Sequence, residues 1–183
     1  MARLPPTILE QQSRSSCDAS TNSENGEEVV KTPVDDTVLE ITRILEAPPA
    51  RVFGAWLHRE EWQAWIGPEG VTCEVPLLEA RVGGRYRLTM NLSDGKTLRV
   101  AGVYRAIDEP WRLVFTWGRE GDDKQQSLVT ITFRDVGGKT ELTLRQEGLG
   151  TIENRDAHAR GWNSALNKLV GYLMQPTDVR ERR

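Results

Sequence analysis

The sequence predicts an α+β domain in which a curved antiparallel sheet wraps around one long helix. Three observations carry that prediction. From Val71 onward, apolar and polar residues alternate for roughly 75 positions without a helical interval, which excludes a repeated strand–helix–strand layout. A single amphipathic stretch with the 3.6-residue helical period occupies residues 154–175. Between the first strand and the rest of the sheet lie two short helical segments that hold three of the six tryptophans. A bent sheet closed by one helix tends to leave a hollow between them.

The first strand is expected over 39–47, where Leu39, Ile41, Arg43 and Leu45 alternate with Glu40, Thr42, Ile44 and Glu46. Arg43 is the one charge on the apolar face. Two roles suit it: a strand-end residue paired with a carboxylate, or a polar anchor inside the hollow. Ala47-Pro48-Pro49 ends the strand because proline cannot donate to the ladder, and it opens a helix because its fixed φ suits a first turn. Val52, Phe53, Trp56 and Leu57 then share one helical face. A second short helix over 59–65 places Trp62 and Trp65 on one side, and Gly67-Pro68-Glu69-Gly70 breaks it.

A strand over 71–80 runs to Gly83-Gly84, read as a bend or bulge where side chains are not tolerated. Tyr86, Leu88, Met90 and Leu92 form a dry face against Arg85, Arg87, Thr89 and Asn91. Asp94-Gly95 signals a hairpin, since that pair readily supplies positive φ. Leu98, Val100, Gly102 and Tyr104 mark the next strand, which Asp108-Glu109-Pro110 closes. Leu113, Phe115 and Trp117 mark another, then a polar loop over 118–126, then Val129, Ile131 and Phe133, and finally Leu142 and Leu144 after Gly137-Gly138. On the last helix His158, Trp162, Leu166, Leu169, Val170 and Leu173 align. At ~1.5 Å per residue that helix spans about 30 Å, enough to lie across the sheet as a lid on the core. Gly161 costs the helix roughly 1 kcal/mol against alanine, so close packing beside Trp162 is the expected compensation.

The length suits one domain, expected at 37–176. Residues 1–36, rich in Ser, Asn, Glu and Pro, are expected to be a disordered tail, and 177–183 a flexible end. Seven acids against three bases give residues 1–36 a net −4, leaving +1 for the rest of a chain at −3. A nearly neutral body without a basic stripe argues against a nucleic-acid partner. Cys17 and Cys73 stand alone, so neither a disulfide scaffold nor a redox pair is expected. No apolar run approaches ~20 residues, and nothing near the start has the apolar core of a signal peptide; no membrane insertion and a cytoplasmic location are expected.

His58 and His158 are isolated, so no metal or cofactor is expected, and no Gly-x-Ser-x-Gly turn or phosphate loop occurs. His158 is read as a partly buried packing residue one turn before Trp162, or else as a titratable group at a cavity mouth. The tryptophans suit either core packing or a ligand hollow, because indole offers a large apolar area with one N–H to orient a polar atom.

A set of residues in fixed order is similar to one family: Arg43, Ala47-Pro48, Val52-Phe53, Ala55-Trp56, Trp65-Ile66-Gly67-Pro68, Arg81-Val82-Gly83-Gly84, Asp94-Gly95, Gly102, Phe133, Thr140, Gly161-Trp162 and Leu166. Over residues 38–174 the chain resembles the SRPBCC superfamily, in particular the group named for similarity to the C-terminal domain of a heat-shock-chaperone ATPase activator. The resemblance implies a helix-grip fold of the START and Bet v type, with a C-terminal helix held over a hydrophobic cavity. The chain carries Gln146 and Ile66 where relatives often have histidine and tryptophan.

The expected function is non-catalytic binding of a small hydrophobic or amphipathic molecule. Its cavity is expected to be lined by Arg43, Trp65, Tyr86, Leu88, Met90, Phe115, Trp117, Phe133, Gln146, His158, Trp162 and Leu166. Two alternatives follow from the resemblance. One is a module that contacts a chaperone. The other is a polyketide-cyclase-like enzyme in which Arg43, Tyr86 or Gln146 would guide proton transfer.

Overall fold

The structure is a computed structural model and describes residues 35–122 and 126–175. The expected tail, except for Asp35 and Asp36, and the expected end over 177–183 lie outside the described residues. In chain order the elements are β1 (Leu39–Leu45), α1 (Pro49–Leu57), α2 (Arg59–Trp65), β2 (Thr72–Leu78), β3 (Arg85–Asn91), β4 (Thr97–Asp108), β5 (Arg112–Arg119), β6 (Ser127–Asp135), β7 (Thr140–Glu147) and α3 (Ile152–Leu173).

The seven strands form one antiparallel sheet in the order β1-β7-β6-β5-β4-β3-β2. Strands β2 to β7 are a meander of neighbours, as an uninterrupted period of two demands. Consecutive strands β1 and β2 lie at opposite edges, so α1 and α2 must carry the chain from one edge to the other. Two irregularities bend the sheet. One falls between Glu74 and Leu77 of edge strand β2, around Pro76, which cannot donate to a ladder. The other falls between Tyr104 and Ala106, where β4 meets β5.

The dry strand faces, α1 and α2 close on one core that includes Val52, Phe53, Trp56, Trp62, Trp65, Tyr86, Phe115 and Phe133, each at most 2% exposed. Aromatic rings run through it edge to face, with Trp56 and Trp65 at 4.5 Å and Trp62 and Tyr86 at 5.1 Å. Gly102 is required at its place. It lies opposite Tyr86 in the β3–β4 register, and the Tyr86 hydroxyl passes over it to donate to the Thr116 carbonyl at 2.6 Å. A Cβ on Gly102 would fall 1.9 Å from that carbonyl oxygen and 2.6 Å from the hydroxyl.

Four expectations need correction. Strand β1 ends at Leu45, and Ala47 instead accepts a hydrogen bond from Thr140 Oγ1 at 2.7 Å through its carbonyl. Helix α3 begins at Ile152, because the Thr151 hydroxyl caps it by accepting from the Asn154 N–H at 3.2 Å. Its buried residues are Trp162, Ala165, Leu166 and Leu169, whereas Val170 is exposed and His158 only half-buried. Helix α3 therefore buries itself only from Trp162 onward, and its first ten residues include none that is buried. Gly161, expected to pack closely, has nothing within 4 Å of where its Cβ would be.

Candidate functional site

Where the first turns of α3 are not buried against the sheet, a cleft of about 1080 Å³ opens. Its floor is apolar and comes from the sheet and the helix: Met90, Leu98, Val100, Trp117 and Trp162, with the Trp117 and Trp162 rings 4.9 Å apart. Trp117 is there because β5 alternates Leu113, Phe115 and Trp117 onto the concave face. Trp162 meets it as the first buried residue of α3.

Beneath that floor runs a relay of hydrogen bonds between buried groups. The Trp162 indole N–H donates to Gln146 Oε1 at 2.7 Å, Gln146 Nε2 donates to Ser127 Oγ at 2.7 Å, and Ser127 Oγ donates to the Trp117 carbonyl at 2.8 Å. Three strands and the helix are thereby joined through side chains whose polar atoms would otherwise be stranded without water. The indole N–H of Trp162 is engaged by the protein itself and is not offered to a ligand.

One wall of the cleft is the Ile66-Gly67-Pro68 segment. It is tied to α3, since Lys168 Nζ donates to the Ile66 and Gly67 carbonyls at 3.1 and 3.3 Å and the Glu69 N–H donates to Ser164 Oγ at 2.8 Å. The opposite wall is the turn over 148–151 with Asn154, Ala157, His158, Gly161 and Ala165 of α3. Asn154 Nδ2 donates to the Leu149 carbonyl at 2.8 Å, which holds that turn. His158 Nδ1 lies 2.9 Å from the Asn154 carbonyl; a carbonyl only accepts, so Nδ1 carries the proton and donates to it, which turns Nε2 away from that contact. Gly118, Arg119, Asp122, Gln126 and the edge of the relay residue Ser127 complete the lining.

Of the twelve residues expected to line the cavity, Met90, Trp117, His158 and Trp162 are brought together at the cleft. The other eight are placed elsewhere. Leu88, Phe115 and Leu166 are fully inside the core, as is Phe133, which stacks edge-on against Phe53 at 5.2 Å. Trp65 is also buried there and donates to the Ala55 carbonyl of α1 at 3.0 Å. Tyr86 reaches Thr116, and Gln146 sits under the floor in the relay. Arg43 fulfils neither of its two expected roles: its guanidinium bonds the Asn163 side-chain oxygen on α3 and the Thr42 carbonyl at 3.2 Å, so its partners are amides rather than a carboxylate. Sequence reasoning missed Arg119 and Gly161. Arg119 was legible, being two residues beyond Trp117 on the same strand face; Gly161 was not, because a glycine in a helix reads alike beside a tight contact or an open space.

Burial pushes the Tyr86 hydroxyl well above the usual tyrosine range, with the nearby Tyr104 adding to it, and burial alone raises Tyr104. Burial also raises the Cys73 thiol, so it is not an activated nucleophile. Trp56 Nε1, Trp62 Nε1 and the Tyr104 hydroxyl are buried without a hydrogen-bond partner among the described residues, and none of these three residues lines the cleft. Among the described residues no group of three His, Cys, Asp or Glu could hold a metal ion. No helix among them is long and apolar enough to cross a membrane.

The sequence pattern of the family described as "Activator of Hsp90 ATPase homolog 1-like protein" matches residues 46–174. No curated protein matches the chain. Among solved structures, a Chromobacterium violaceum protein is 28% identical with a TM-score of 0.68, over 76% of this chain and 98% of its own. A Silicibacter pomeroyi protein described as AHSA1 is 29% identical with a TM-score of 0.65, over 74% and 96%. A Mycobacterium smegmatis protein is 25% identical with a TM-score of 0.67, over 78% and 93%. The helix-grip arrangement is thus shared with these relatives.

Proposed function

The chain belongs to the Activator of Hsp90 ATPase homolog 1-like protein family, and on that premise we propose that it binds a small hydrophobic or amphipathic molecule, without converting it, in the cleft between the sheet and α3. The observation that carries this reading is the cleft itself. Its volume of about 1080 Å³ is just above the ~300–1,000 Å³ of small-molecule sites, and its floor is aromatic and apolar. Catalysis of the polyketide-cyclase kind finds little support, because the groups suited to guide protons, Arg43, Tyr86 and Gln146, are each engaged away from the cleft. The family name keeps a chaperone-associated role as the alternative, and no surface feature of the described residues favours it over the cleft. A cytoplasmic setting accords with Cys73, a buried free thiol.

The uncharged dye N-phenylnaphthylamine brightens in apolar surroundings and tests this reading. Titration into the protein should raise its emission to saturation, and Gly161→Leu, which places a side chain in the cleft, should reduce its affinity at least tenfold. If the dye fails to bind the unaltered protein, the reading is wrong.

A further inference from the structure

The chemistry of the cleft's edge narrows the class of molecule it takes. Strand β5 sends Leu113, Phe115 and Trp117 to the concave face, and the same alternation brings Arg119 to that face, beside Val100 of β4. Both Arg119 and Val100 line the cleft. Four arginines on the opposite face of the sheet have carboxylate partners: Arg87 with Glu120 at 2.6 Å, Arg112 with Asp108 at 2.7 Å, Arg134 with Glu141 at 2.7 Å and Arg145 with Glu147 at 2.6 Å, whereas Arg119 is the one arginine in the cleft lining. The Arg119 side chain forms no hydrogen bond or ion pair with another described residue. The one acid that shares the lining, Asp122, has an interaction of its own.

We propose that the cleft takes an amphipathic organic anion, its flat apolar body on the Trp117–Trp162 floor and its carboxylate or sulfonate against the Arg119 guanidinium. The proposal rests on the ligand-binding reading above and adds the charge of the ligand to it. Physics favours the pairing. A planar guanidinium meets a carboxylate or sulfonate through two parallel N–H donors, and an apolar body lying on the floor displaces water beside the pair, which strengthens it. The floor offers no competing polar contact, since the relay already engages the Trp162, Gln146 and Ser127 side chains. A neutral molecule would offer the guanidinium no anionic partner.

Two dyes with one skeleton test the charge. Anilinonaphthalene sulfonate carries a sulfonate that N-phenylnaphthylamine lacks, and both are read by emission. The anion is expected to bind the intact protein roughly five- to tenfold tighter, and Arg119→Gln should bring the two affinities together while leaving that of the neutral dye unchanged. Arg119 is exposed and has no partner among the described residues, so the variant should melt like the parent, and a rising salt concentration should erode the same advantage in the unaltered protein. Equal affinities in the unaltered protein would overturn the proposal and leave ligand binding intact. An advantage that survives Arg119→Gln, or anion binding that survives Gly161→Leu, would also overturn it. Failure of both dyes to bind would remove the ligand-binding reading itself.

Discussion

Replacing Gly161 separates an open cleft from a packed interior. Glycine inside a helix is about 1 kcal/mol less favourable than alanine, and a Cβ at Gly161 would meet nothing within 4 Å, so no clash offsets the gain. Gly161→Ala should therefore stabilise the protein by about 1 kcal/mol. The described domain has about 140 residues, and at ~2.1 cal/mol/K of unfolding entropy per residue the gain corresponds to ~3 °C in Tm. Gly161→Leu should be at least as stable as the parent, because its side chain lies over the Trp117–Trp162 floor rather than in water, yet it should lose the neutral dye. Thermal unfolding followed by far-ultraviolet circular dichroism measures the first effect and dye titration the second. A fall in Tm for Gly161→Ala would show that the helix is pressed against a neighbour at this point, and the argument for an open cleft would fail with it.

Other changes probe the core beneath. Gly102→Ala drives a Cβ to 1.9 Å from the Thr116 carbonyl oxygen and displaces the Tyr86 ring, so a loss of about 3 kcal/mol or more is expected in urea unfolding. Gln146→Leu leaves the buried Trp162 N–H without an acceptor and should cost about 1–3 kcal/mol, seen as a lower urea midpoint with an unchanged slope. The buried tyrosines make stability fall at high pH. Their folded pKa values are raised above the ~10 of an unfolded chain, so their contribution is complete below about pH 10 and is lost above it, at ~1.4 kcal/mol per pH unit for each tyrosine. Tyr104→Phe removes a buried hydroxyl that has no partner among the described residues; it should raise neutral-pH stability by about 1–3 kcal/mol while flattening the alkaline decline, and urea midpoints at several pH values would show both.

The order of elements was legible because each period stands clear in the residues. Strand alternation from Tyr86 to Leu144 fixes which face is dry, and proline and glycine mark the breaks. The cleft was less legible. A dry face tells which residues turn inward and not whether they meet a neighbour or a space, so Leu88, Phe115 and Phe133 were expected at a hollow and lie in the core. What decides is how α3 lies on the sheet. Its buried residues begin at Trp162, although a half-buried His158 continues the apparent stripe toward the N-terminus. The relay was hidden for another reason. Gln146, Ser127 and Trp162 come from three elements, and nothing local in the sequence says that an amide on β7 will find an indole and a hydroxyl. Arg43 shows the same limit, since its partner Asn163 is 120 residues away.

Within one structure the tryptophans are treated in two ways, and the difference bears on function. Trp56 and Trp62 lie deep in the core with N–H groups that have no partner among the described residues, a cost of about 1–3 kcal/mol each that their aromatic packing must outweigh. Trp162, at the cleft, has its N–H fully engaged. An unpaired donor in the core meets no solvent, whereas one at the floor of an open cleft would hold a water molecule in place. An apolar ligand displacing a well-held water loses affinity, and one displacing a loosely held water gains it. By directing the Trp162 N–H inward to Gln146, the protein removes from the floor a donor that would hold a water there. Discrimination among ligands then falls to the polar groups around that floor, where Arg119 carries the charge that the floor does not.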